Sequence, residues 1–496
     1  IPAGVKNLLN TEDYSSGTDF SMNDFTKSSS LFDGCTALES VKFETAPQRI
    51  GAYAFRNCSS LTSVTAPDGK GNYTQDAFFA NLLSVSNYAF SGAGIAEVNF
   101  VDLERIGASA FSGSAVATLT FGKAVEYSST NGWGNSVFQK CTNLTTVSLP
   151  GQTYFGTNTF SGCTGLTSVK FAKGTTMLSY NATKPVATSS IKMFMDCTSL
   201  TTVTFEEPVT LIAGSAFENC EALTTITNFF GSVETLGASA LRNTGFTTMT
   251  FDSLENLNTY ALASNTKLTS VTFKKDLKGK GGSLFSSCTN LTSVTFEGTI
   301  PTNITSVLYN CTSLANVTVS DSMTSLPAKF LQNTAVKTFK LPKSLTSFDY
   351  TWFTGSAIEE YKIDESATKF SVKDGVLYDK AGTKLISVPA NKAGNLDLSG
   401  IKDINANAFY NCSKLTEVTF PATMTKIPDS AFANWQMTAD TTFSIPSGIT
   451  SIGASAFKGS TLAGAITIPE TVTSIGANAF ENTNITSITL PSKLKT

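Results

Sequence analysis

Hydrophobic and polar positions repeat along this chain with a period of roughly twenty-odd residues. A clear copy of the repeat runs from Ile50 to Pro67 and reads IGAYAFRNCSSLTSVTAP. Its Ile, Ala, Phe, Cys, Leu and Val alternate with small or polar residues, and a polar connector leads to the next copy. Self-similarity at a fixed period of this length is typical of a solenoid, in which each coil contacts mainly its neighbours.

Each copy contains one aromatic or leucine anchor, and the commonest distance between successive anchors is 23 residues. The 18 anchors are Phe32, Phe55, Phe90, Phe111, Phe138, Phe160, Phe194, Phe217, Leu241, Leu262, Phe285, Leu308, Leu331, Phe353, Phe409, Phe432, Phe457 and Phe480. A repeat this continuous predicts one elongated array of coils, although the length alone would allow several ordinary domains.

The last part of each copy predicts a β-strand. In the segment LTSVTF, which begins at Leu291, threonine and β-branched residues alternate with apolar ones. Leu291, Val294 and Phe296 are expected to point into the solenoid, and Ser293 and Thr295 to face outward. With one strand per turn, successive copies are expected to pair as one long parallel sheet.

The Ile-Gly-x-x-Ala-Phe-x-x-Cys part of each copy is too short for an independent helix. It is predicted to form a single helical turn whose Ala and Phe pack inward, with Gly permitting a sharp corner. The sequence therefore predicts an α/β solenoid with short helical turns and connectors on the faces outside the sheet.

All nine cysteines occupy one slot of the repeat, three residues after the anchor. They are Cys35, Cys58, Cys141, Cys163, Cys197, Cys220, Cys288, Cys311 and Cys412. Shorter copies of the repeat carry Ala, Ser or Thr in the slot, and Asn265 replaces Cys in one longer copy. This coupling indicates that Cys fills a particular local backbone shape. An odd number at one slot favours buried free thiols, and disulfides between neighbouring coils are the alternative.

The repeat defines three regions. Residues 1–363 and 396–496 are predicted to be leucine-containing repeats, and residues 364–395 are predicted to form a β-hairpin insert within the array. Polar inserts are expected near residues 68–81 and 172–190. Both ends of the chain resemble interrupted copies of the repeat, so the array is expected to be truncated at both ends, without its leader or anchor.

Composition excludes several classes of function. Charged residues make up 15% of the chain and the formal net charge is −3, which gives no reason to expect a nucleic acid partner. No apolar run approaches the roughly 20 residues that span a bilayer, so membrane insertion by this segment is not expected. The chain has no histidine, which removes the commonest general base and metal ligand. No catalytic residue, metal site or cofactor is predicted.

Two motifs resemble catalytic or binding sequences but have a structural explanation. The phrase Gly-Ala-Ser-Ala, which begins at Gly107, Gly237 and Gly453, starts like a nucleophile elbow but recurs at one slot of the repeat. The GKGGS run from Gly279 lacks the spacing of a phosphate-binding loop and is typical of a connector.

The candidate ligand-binding surface is the outward side of the predicted sheet. Its residues are Ser63, Thr65, Thr202, Thr204, Thr225, Thr227, Thr248, Thr250, Ser270, Thr272, Ser293, Thr295, Asn316 and Thr318. Threonine also favours strands for reasons of local structure, so these positions have a purely structural explanation too. As a functional surface they would form a broad, weakly charged area rich in hydroxyl groups, suited to many modest contacts with a protein or glycan.

The phrase Ile-Gly-x-x-Ala-Phe-x-x-Cys-x-x-Leu-x-x-Val resembles the repeats of the BspA-like leucine-rich repeat family, named from a bacterial surface antigen. The resemblance covers nearly the whole chain, and the DGVLY segment at 374–378 resembles a feature of the same family. It implies an α/β leucine-rich-repeat solenoid. It also implies an extracellular or cell-surface location, since members are typically exported by gut, oral and mucosal microbes and several are regarded as adhesins. The family has no shared catalytic residues to transfer.

The expected function is that of an exported, non-enzymatic adhesin. It would bind a protein or glycan of a host or neighbouring cell along the outward face and the insert from Asp364 to Lys392. The alternative is a structural rod, a surface-layer or fibre component, or a stalk for another domain. Ice binding by the threonine rows is disfavoured by the interrupting inserts, and an enzyme by the absence of histidine.

Overall fold

The repeats fold into stacked coils whose strands pair in parallel. In the computed structural model, Thr202–Phe205 pairs with Ser168–Phe171 so that Val203 lies beside Val169 and Phe205 beside Phe171. The structure describes residues 7–8, 30–125, 132–152, 154–179, 190–279, 281–421, 423–438 and 443–495. The chain divides into two compact units, Ile1–Cys288 and Thr289–Thr496, each built from such coils.

Among its described residues, the first unit contains ten strands of three to five residues that carry the x-Val-x-Phe part of the repeat. They are Ser40–Lys42, Ser63–Pro67, Glu97–Phe100, Thr118–Phe121, Thr146–Leu149, Ser168–Phe171, Thr202–Phe205, Thr225–Thr227, Thr248–Phe251 and Ser270–Phe273. Their outward residues define the strand face of the unit. The strands fall into several sheets, where one continuous sheet was expected. One strand, Thr225–Thr227, ends early because Asn228 adopts a left-handed conformation (φ 53°).

A second, two-residue strand precedes the anchor segment of many copies, so the expectation of one strand per turn was incomplete. In the first unit these strands are Asn7–Leu8, Arg49–Ile50, Ser84–Val85, Arg105–Ile106, Met177–Leu178, Leu211–Ile212, Thr235–Leu236 and Asn256–Leu257. They pair in parallel with the equivalent residues of the next coil. Where a glycine follows such a strand, two coils meet backbone to backbone: a Cβ at Gly107, after Arg105–Ile106, would come within 2.4 Å of the Asn87 backbone nitrogen.

The second unit has fewer regular coils and a meander. Its parallel strands are Ser293–Phe296, Asn316–Thr318, Thr338–Lys340, Glu360–Lys362, Ala393–Asp397, Asp403–Ile404, Lys414–Thr419, Lys426–Ile427, Ser451–Ile452, Ala463–Thr467, Ser474–Ile475 and Asn484–Thr489. Between them, Phe370–Lys373 pairs antiparallel with Val376–Asp379, which pairs antiparallel with Lys384–Ser387. Lys384–Ser387 then pairs in parallel with Asp403–Ile404, which returns the chain to the coiled pattern.

The expected helical turns are absent from most described copies of the repeat. Among the described residues, the helical segments are the α-helix Gln75–Ala80, which lies in an insert, and the 3-10 helix Tyr350–Phe353, which forms the anchor segment of the copy around Phe353. In the other copies that segment contains left-handed residues four positions apart, such as Ser215 (φ 54°) and Asn219 (φ 62°), which a right-handed helix cannot accommodate.

Alternating hydrogen bonds replace the helix in this segment. The N–H groups of Ser215, Phe217 and Asn219 donate to carbonyl oxygens of the next coil at 2.8–3.0 Å. The N–H groups of Glu218 and Cys220 donate back to carbonyls three residues earlier in their own coil. The segment is therefore a series of tight turns stacked in register, and its outward surface is the turn face of each unit.

The anchor rings form a continuous stack beneath the turn face of the first unit. Successive rings have centroids 5.1–5.5 Å apart and lie within 19° of parallel. The stacked anchors are Phe32, Phe55, Phe90, Phe111, Phe138, Phe160, Phe194 and Phe217. The segment 68–81, expected to be a polar insert, adds Phe78 and Phe79 to this core, where both are fully buried. Most of the insert near 172–190 lies outside the described residues.

The cysteine slot joins each coil to the one before it. All nine cysteines are free thiols; eight are buried and Cys35 is exposed. In six coils the thiol donates to the carbonyl oxygen of the preceding anchor at 2.9–3.2 Å; these are Cys58, Cys141, Cys163, Cys197, Cys220 and Cys288. Asn265 makes the same link, because its Nδ2 donates to the Leu241 carbonyl at 3.0 Å.

The shorter copies use the slot differently. The hydroxyl groups of Thr334, Ser356 and Thr483 donate to the carbonyl of the anchor in their own coil, at 2.9, 2.7 and 2.9 Å. In these three copies the hydroxyl group bonds within its own coil, whereas the thiol of the longer copies bonds to the preceding coil.

Candidate functional site

The residues proposed from sequence for ligand binding lie on the strand faces of both units. Ten belong to the first unit and four, from Ser293 to Thr318, to the second. None of the fourteen is buried: Thr225, Thr248, Thr250, Asn316 and Thr318 are exposed and the others are half-buried. Twelve of them alternate with buried residues of the same strand, as the pattern of small outward and large inward side chains predicts, whereas Val317, between Asn316 and Thr318, is only half-buried.

Parallel pairing brings these side chains into rows. Thr202 lies beside Thr225, and Thr204 beside Thr227, in the sheet that spans Thr146 to Thr227. In a separate sheet, Thr248 lies beside Ser270 and Thr250 beside Thr272. Ser63 and Thr65 belong to a third sheet, beside Ser40 and Lys42. In the second unit, Ser293 lies beside Asn316 and Thr295 beside Thr318. The rows are therefore several local patches.

Charges near the rows of the first unit are paired. Lys170, in the same row as Thr204, forms an ion pair with Glu206 at 2.7 Å. At the end of the next strand group, Lys274 pairs with Asp252 at 2.7 Å. Neutral hydroxyl groups with paired charges at the margin suit a ligand that is recognised by hydrogen bonds more than by net charge.

A neighbouring threonine position has a structural role that the sequence reasoning did not separate from the binding face. The hydroxyl groups of Thr167, Thr201 and Thr269, each just before a strand, donate to carbonyl oxygens of the preceding coil at 2.9–3.0 Å. The Thr-Thr doublet at 201–202 could have distinguished the two roles in the sequence. Only its second threonine falls on the alternating strand pattern, which leaves the first for a structural bond.

The turn face carries features that the sequence analysis missed. Its first left-handed slot holds Ser, Asn or Lys in most described coils, but tyrosine in three: Tyr53 (φ 60°), Tyr88 (φ 58°) and Tyr260 (φ 59°). A left-handed conformation costs an ordinary residue about 1–2 kcal/mol, and Asn tolerates it better than an aromatic residue. The sequence could have revealed these positions, because tyrosine is a bulky residue at a slot that otherwise holds small or flexible side chains.

The second left-handed slot forms short amide ladders. In the first unit, Asn243 Nδ2 donates to Asn219 Oδ1 at 3.1 Å, and Asn219 Nδ2 donates to Asp196 Oδ1 at 2.8 Å. Asn tolerates the left-handed conformation, and its side-chain amide hydrogen-bonds to the same slot of the neighbouring coil. This ladder therefore stabilises the stack of coils.

The buried thiols are poorly suited to nucleophilic chemistry. Burial raises the pKa of Cys141 to about 11 and that of Cys288 to about 12, so both remain protonated near neutral pH. The serines of the Gly-Ala-Ser-Ala phrases, Ser109, Ser239 and Ser455, occupy the first left-handed slot. Within the described ranges, no group of three or more Cys, Asp or Glu residues is arranged to hold a metal ion. Within those ranges, too, no helix has the length and apolar character to cross a bilayer.

Comparison with known families gives one broad match. A family model described as a BspA type leucine rich repeat region matches residues 26–86, 77–186, 187–308, 281–373 and 392–496. No curated protein sequence matches the chain.

Solved structures with similar coils come from bacterial leucine-rich repeat proteins. A leucine-rich repeat protein from Bacteroides ovatus is 20% identical over 91% of this chain and 78% of that chain, with a TM-score of 0.38. A leucine rich cell surface protein from Faecalibacterium prausnitzii is 22% identical over 69% of this chain and 87% of that chain, with a TM-score of 0.35. Because the identities and TM-scores are low, the match to the family model is the stronger finding.

Proposed function

Since the chain belongs to the BspA-type leucine-rich repeat family, we propose that it is an exported, non-enzymatic cell-surface adhesin. Its ligand is a protein or glycan on a host or neighbouring cell. The family match supports a repeat protein of the bacterial surface type, and the strand face supplies the surface on which such a ligand would be held.

The observation that carries this proposal is the alignment of outward hydroxyl groups on the strand faces. Two rows lie on a parallel ladder of strands: one pairs Thr202 with Thr225, and the other pairs Thr204 with Thr227. The backbone groups of these strands pair with each other, and the outward side chains do not contribute to the core. A ligand that spans several coils would gain affinity from many weak hydrogen bonds acting together.

The insert supplies a second part of the proposed surface in the second unit. The N–H of Tyr361 donates to the Gly375 carbonyl at 2.9 Å, which attaches the turn of the hairpin to the strand Glu360–Lys362. Lys392 Nζ donates to the Asp374 carbonyl at 2.7 Å and holds the same turn. The hairpin turn is thus fixed beside the outward residues Glu360 and Lys362.

Lysine substitutions on the strand face test the proposal. The triple variant Thr204→Lys, Thr227→Lys and Thr250→Lys places long charged side chains along the rows. The fold is expected to tolerate them, because Lys170 and Lys340 already occupy equivalent strand positions. We expect binding of the purified protein to cells or immobilised matrix to fall on the order of tenfold or more, as measured by flow cytometry and solid-phase assay.

A matched control places lysines on the turn face. The native Lys192 and Lys329 occupy the first left-handed slot, so Ser239→Lys and Ser283→Lys are compatible with that backbone. The control is expected to bind like the unmodified protein. Equal binding by the strand-face variant and the control would contradict the proposal, and so would assembly of the purified chain into fibres without any ligand, which is the behaviour of a structural rod.

A further inference from the structure

A pair of tyrosines on the turn face of the first unit forms an exposed aromatic stack. The rings of Tyr53 and Tyr88 lie 5.2 Å apart and within 5° of parallel. Tyr88 is 37% exposed, and its N–H donates to the Ala108 carbonyl at 2.9 Å, which places it beside the coil that carries Ser109. The two rings therefore continue from coil to coil on the outside of the protein.

One end of this stack is closed by a fixed arginine. Arg56 Nε donates to Asp33 Oδ1 at 2.9 Å, and a second guanidinium nitrogen donates to Asp33 Oδ2 at 2.5 Å. The guanidinium carbon lies 4.5 Å from the centre of the Tyr53 ring. Asp33 belongs to the coil before Tyr53 and Tyr88 to the coil after it, so the guanidinium held by Asp33 covers the face of Tyr53 opposite Tyr88. The stack Arg56–Tyr53–Tyr88 is rigid, and its open end is the free face of Tyr88.

Small neutral side chains follow beyond that open face. The same slot in the next three coils holds Ser109, Ser136 and Asn158, all left-handed. None of them is large enough to continue the ring stack, and none carries a charge. A shelf with hydroxyl and amide groups therefore begins where the aromatic rings end.

The conformation of the tyrosines indicates that they serve more than folding. Both residues adopt a left-handed backbone that favours Asn or Gly and is unfavourable for an aromatic residue. Strain of this kind is found where the side chain has a function beyond stability. Tyr260 has the same conformation, but its neighbours at the slot are Ser239 and Ser283, so it has no stacked partner there.

We propose that the free face of Tyr88 binds a pyranose ring of a neutral glycan. The ring would lie at the position of a third stacked ring, with its apolar C–H face on the tyrosine and its peripheral hydroxyl groups toward Ser109 and Ser136. A rigid aromatic face beside convergent polar groups is the usual form of a small-ligand site. The neutral shelf favours an uncharged sugar, since the charge of Arg56 is already paired with Asp33.

Neutral oligosaccharides test the proposal directly. Lactose, maltotriose, cellotetraose and chitotriose would be screened against the whole chain by saturation-transfer NMR, and the best probe measured by calorimetry. Tyr88→Ser restores the residue type found in neighbouring coils and is therefore expected to fold. We expect it to weaken binding on the order of tenfold or more, while Tyr88→Phe stays within about threefold because the ring face is kept.

Tyr260→Ser is the matched control, because it removes a tyrosine from the same slot without touching the stack. It is expected to leave sugar binding unchanged. Binding by Tyr88→Ser equal to that of the unmodified protein would overturn the proposal, as would a failure of every probe to bind. Binding of a tryptophan-containing peptide in place of the sugars would overturn the ligand class. The strand-face lysine variant is expected to keep sugar binding, so the two proposals fail separately.

Discussion

The strand face and the turn face join one coil to the next in different ways. On the strand face, a regular parallel ladder uses the backbone groups, and the outward side chains such as Thr204 and Lys170 differ freely between coils. On the turn face, the backbone is left-handed at fixed slots, and only some residue types adopt this conformation without strain. Variation is therefore expected on the strand face, whereas an unusual residue on the turn face is informative.

The largest expected effect concerns the thiols beneath the turn face. Burial raises the pKa of seven of them: Cys58, Cys141, Cys163, Cys197, Cys220, Cys288 and Cys412. Above the ordinary pKa of 9.0 the unfolded chain releases protons that the folded state keeps, so stability is fully present below about pH 9 and falls as the pH rises toward 11. For Cys141 alone the shift corresponds to about 3 kcal/mol.

The measurement is the free energy of unfolding in urea between pH 8 and 11. A variant with Cys163, Cys197 and Cys220 changed to Ser serves as the control, because serine does not titrate in this range. Its stability is expected to fall less steeply with pH. An identical slope in both proteins would show that the thiols do not cause the loss.

The second prediction compares the aromatic cores under the two faces. Phe160 has stacked rings on both sides, Phe138 and Phe194, each at 5.5 Å. Phe205, beneath the strand face, stacks on Phe171 at 4.7 Å. We expect Phe160→Ala to cost about 4–5 kcal/mol and Phe205→Ala about 3 kcal/mol, because more ring contacts are lost at Phe160. Native-state hydrogen exchange of the coils around each site measures both, and a larger loss at Phe205 would reverse the comparison.

The third prediction concerns strain on the turn face. Replacing Tyr260 by Asn suits the left-handed backbone at that slot and is expected to raise the free energy of unfolding by about 0.5–1 kcal/mol. The same change at Tyr53 is expected to give no gain, because it also removes the ring contact with Tyr88. Thermal and urea unfolding of both variants test this, and a loss of stability in Tyr260→Asn would contradict it.

The smallest effect is expected among the threonines of the first unit. The hydroxyl of Thr269 donates to the Thr247 carbonyl, so Thr269→Val is expected to cost about 0.5 kcal/mol. Thr250 stands outward on its strand, and Thr250→Val is expected to change stability by less than about 0.3 kcal/mol. Urea unfolding of the two variants measures both changes in the free energy of unfolding. Equal costs would mean that the two positions do not differ in structural role.

The sequence was sufficient to predict the stack of coils and to predict which side chains of most strands point inward. Alternation alone places Val294 and Phe296 inside, and both are buried. It was also sufficient to place the cysteines at one structural slot, since eight of nine are buried free thiols. It did not reveal that the thiols donate to the preceding anchor, because a hydrogen bond between coils depends on their register.

The anchor segment shows where reasoning from sequence fails. Ile-Gly-x-x-Ala-Phe-x-x-Cys has the composition of a helical turn, but left-handed residues such as Ser215 and Asn219 direct alternate N–H groups to the next coil. Local propensity favours a helix only when hydrogen bonds within the segment compete with nothing better, and here the neighbouring coil supplies acceptors. The stacked tyrosines were missed for a related reason, since residues 35 positions apart, 53 and 88, meet only after the insert between them has folded.

The links between coils have an evolutionary consequence. In the first unit the thiol of Cys197 donates to the carbonyl of Phe160, and that of Cys220 donates to the carbonyl of Phe194. The anchor carbonyl of each of these coils therefore accepts a hydrogen bond from the thiol of the next coil. Duplication or loss of one whole cysteine-containing coil would leave these thiols with equivalent acceptors. The number of such coils can therefore change without altering the fold of each coil.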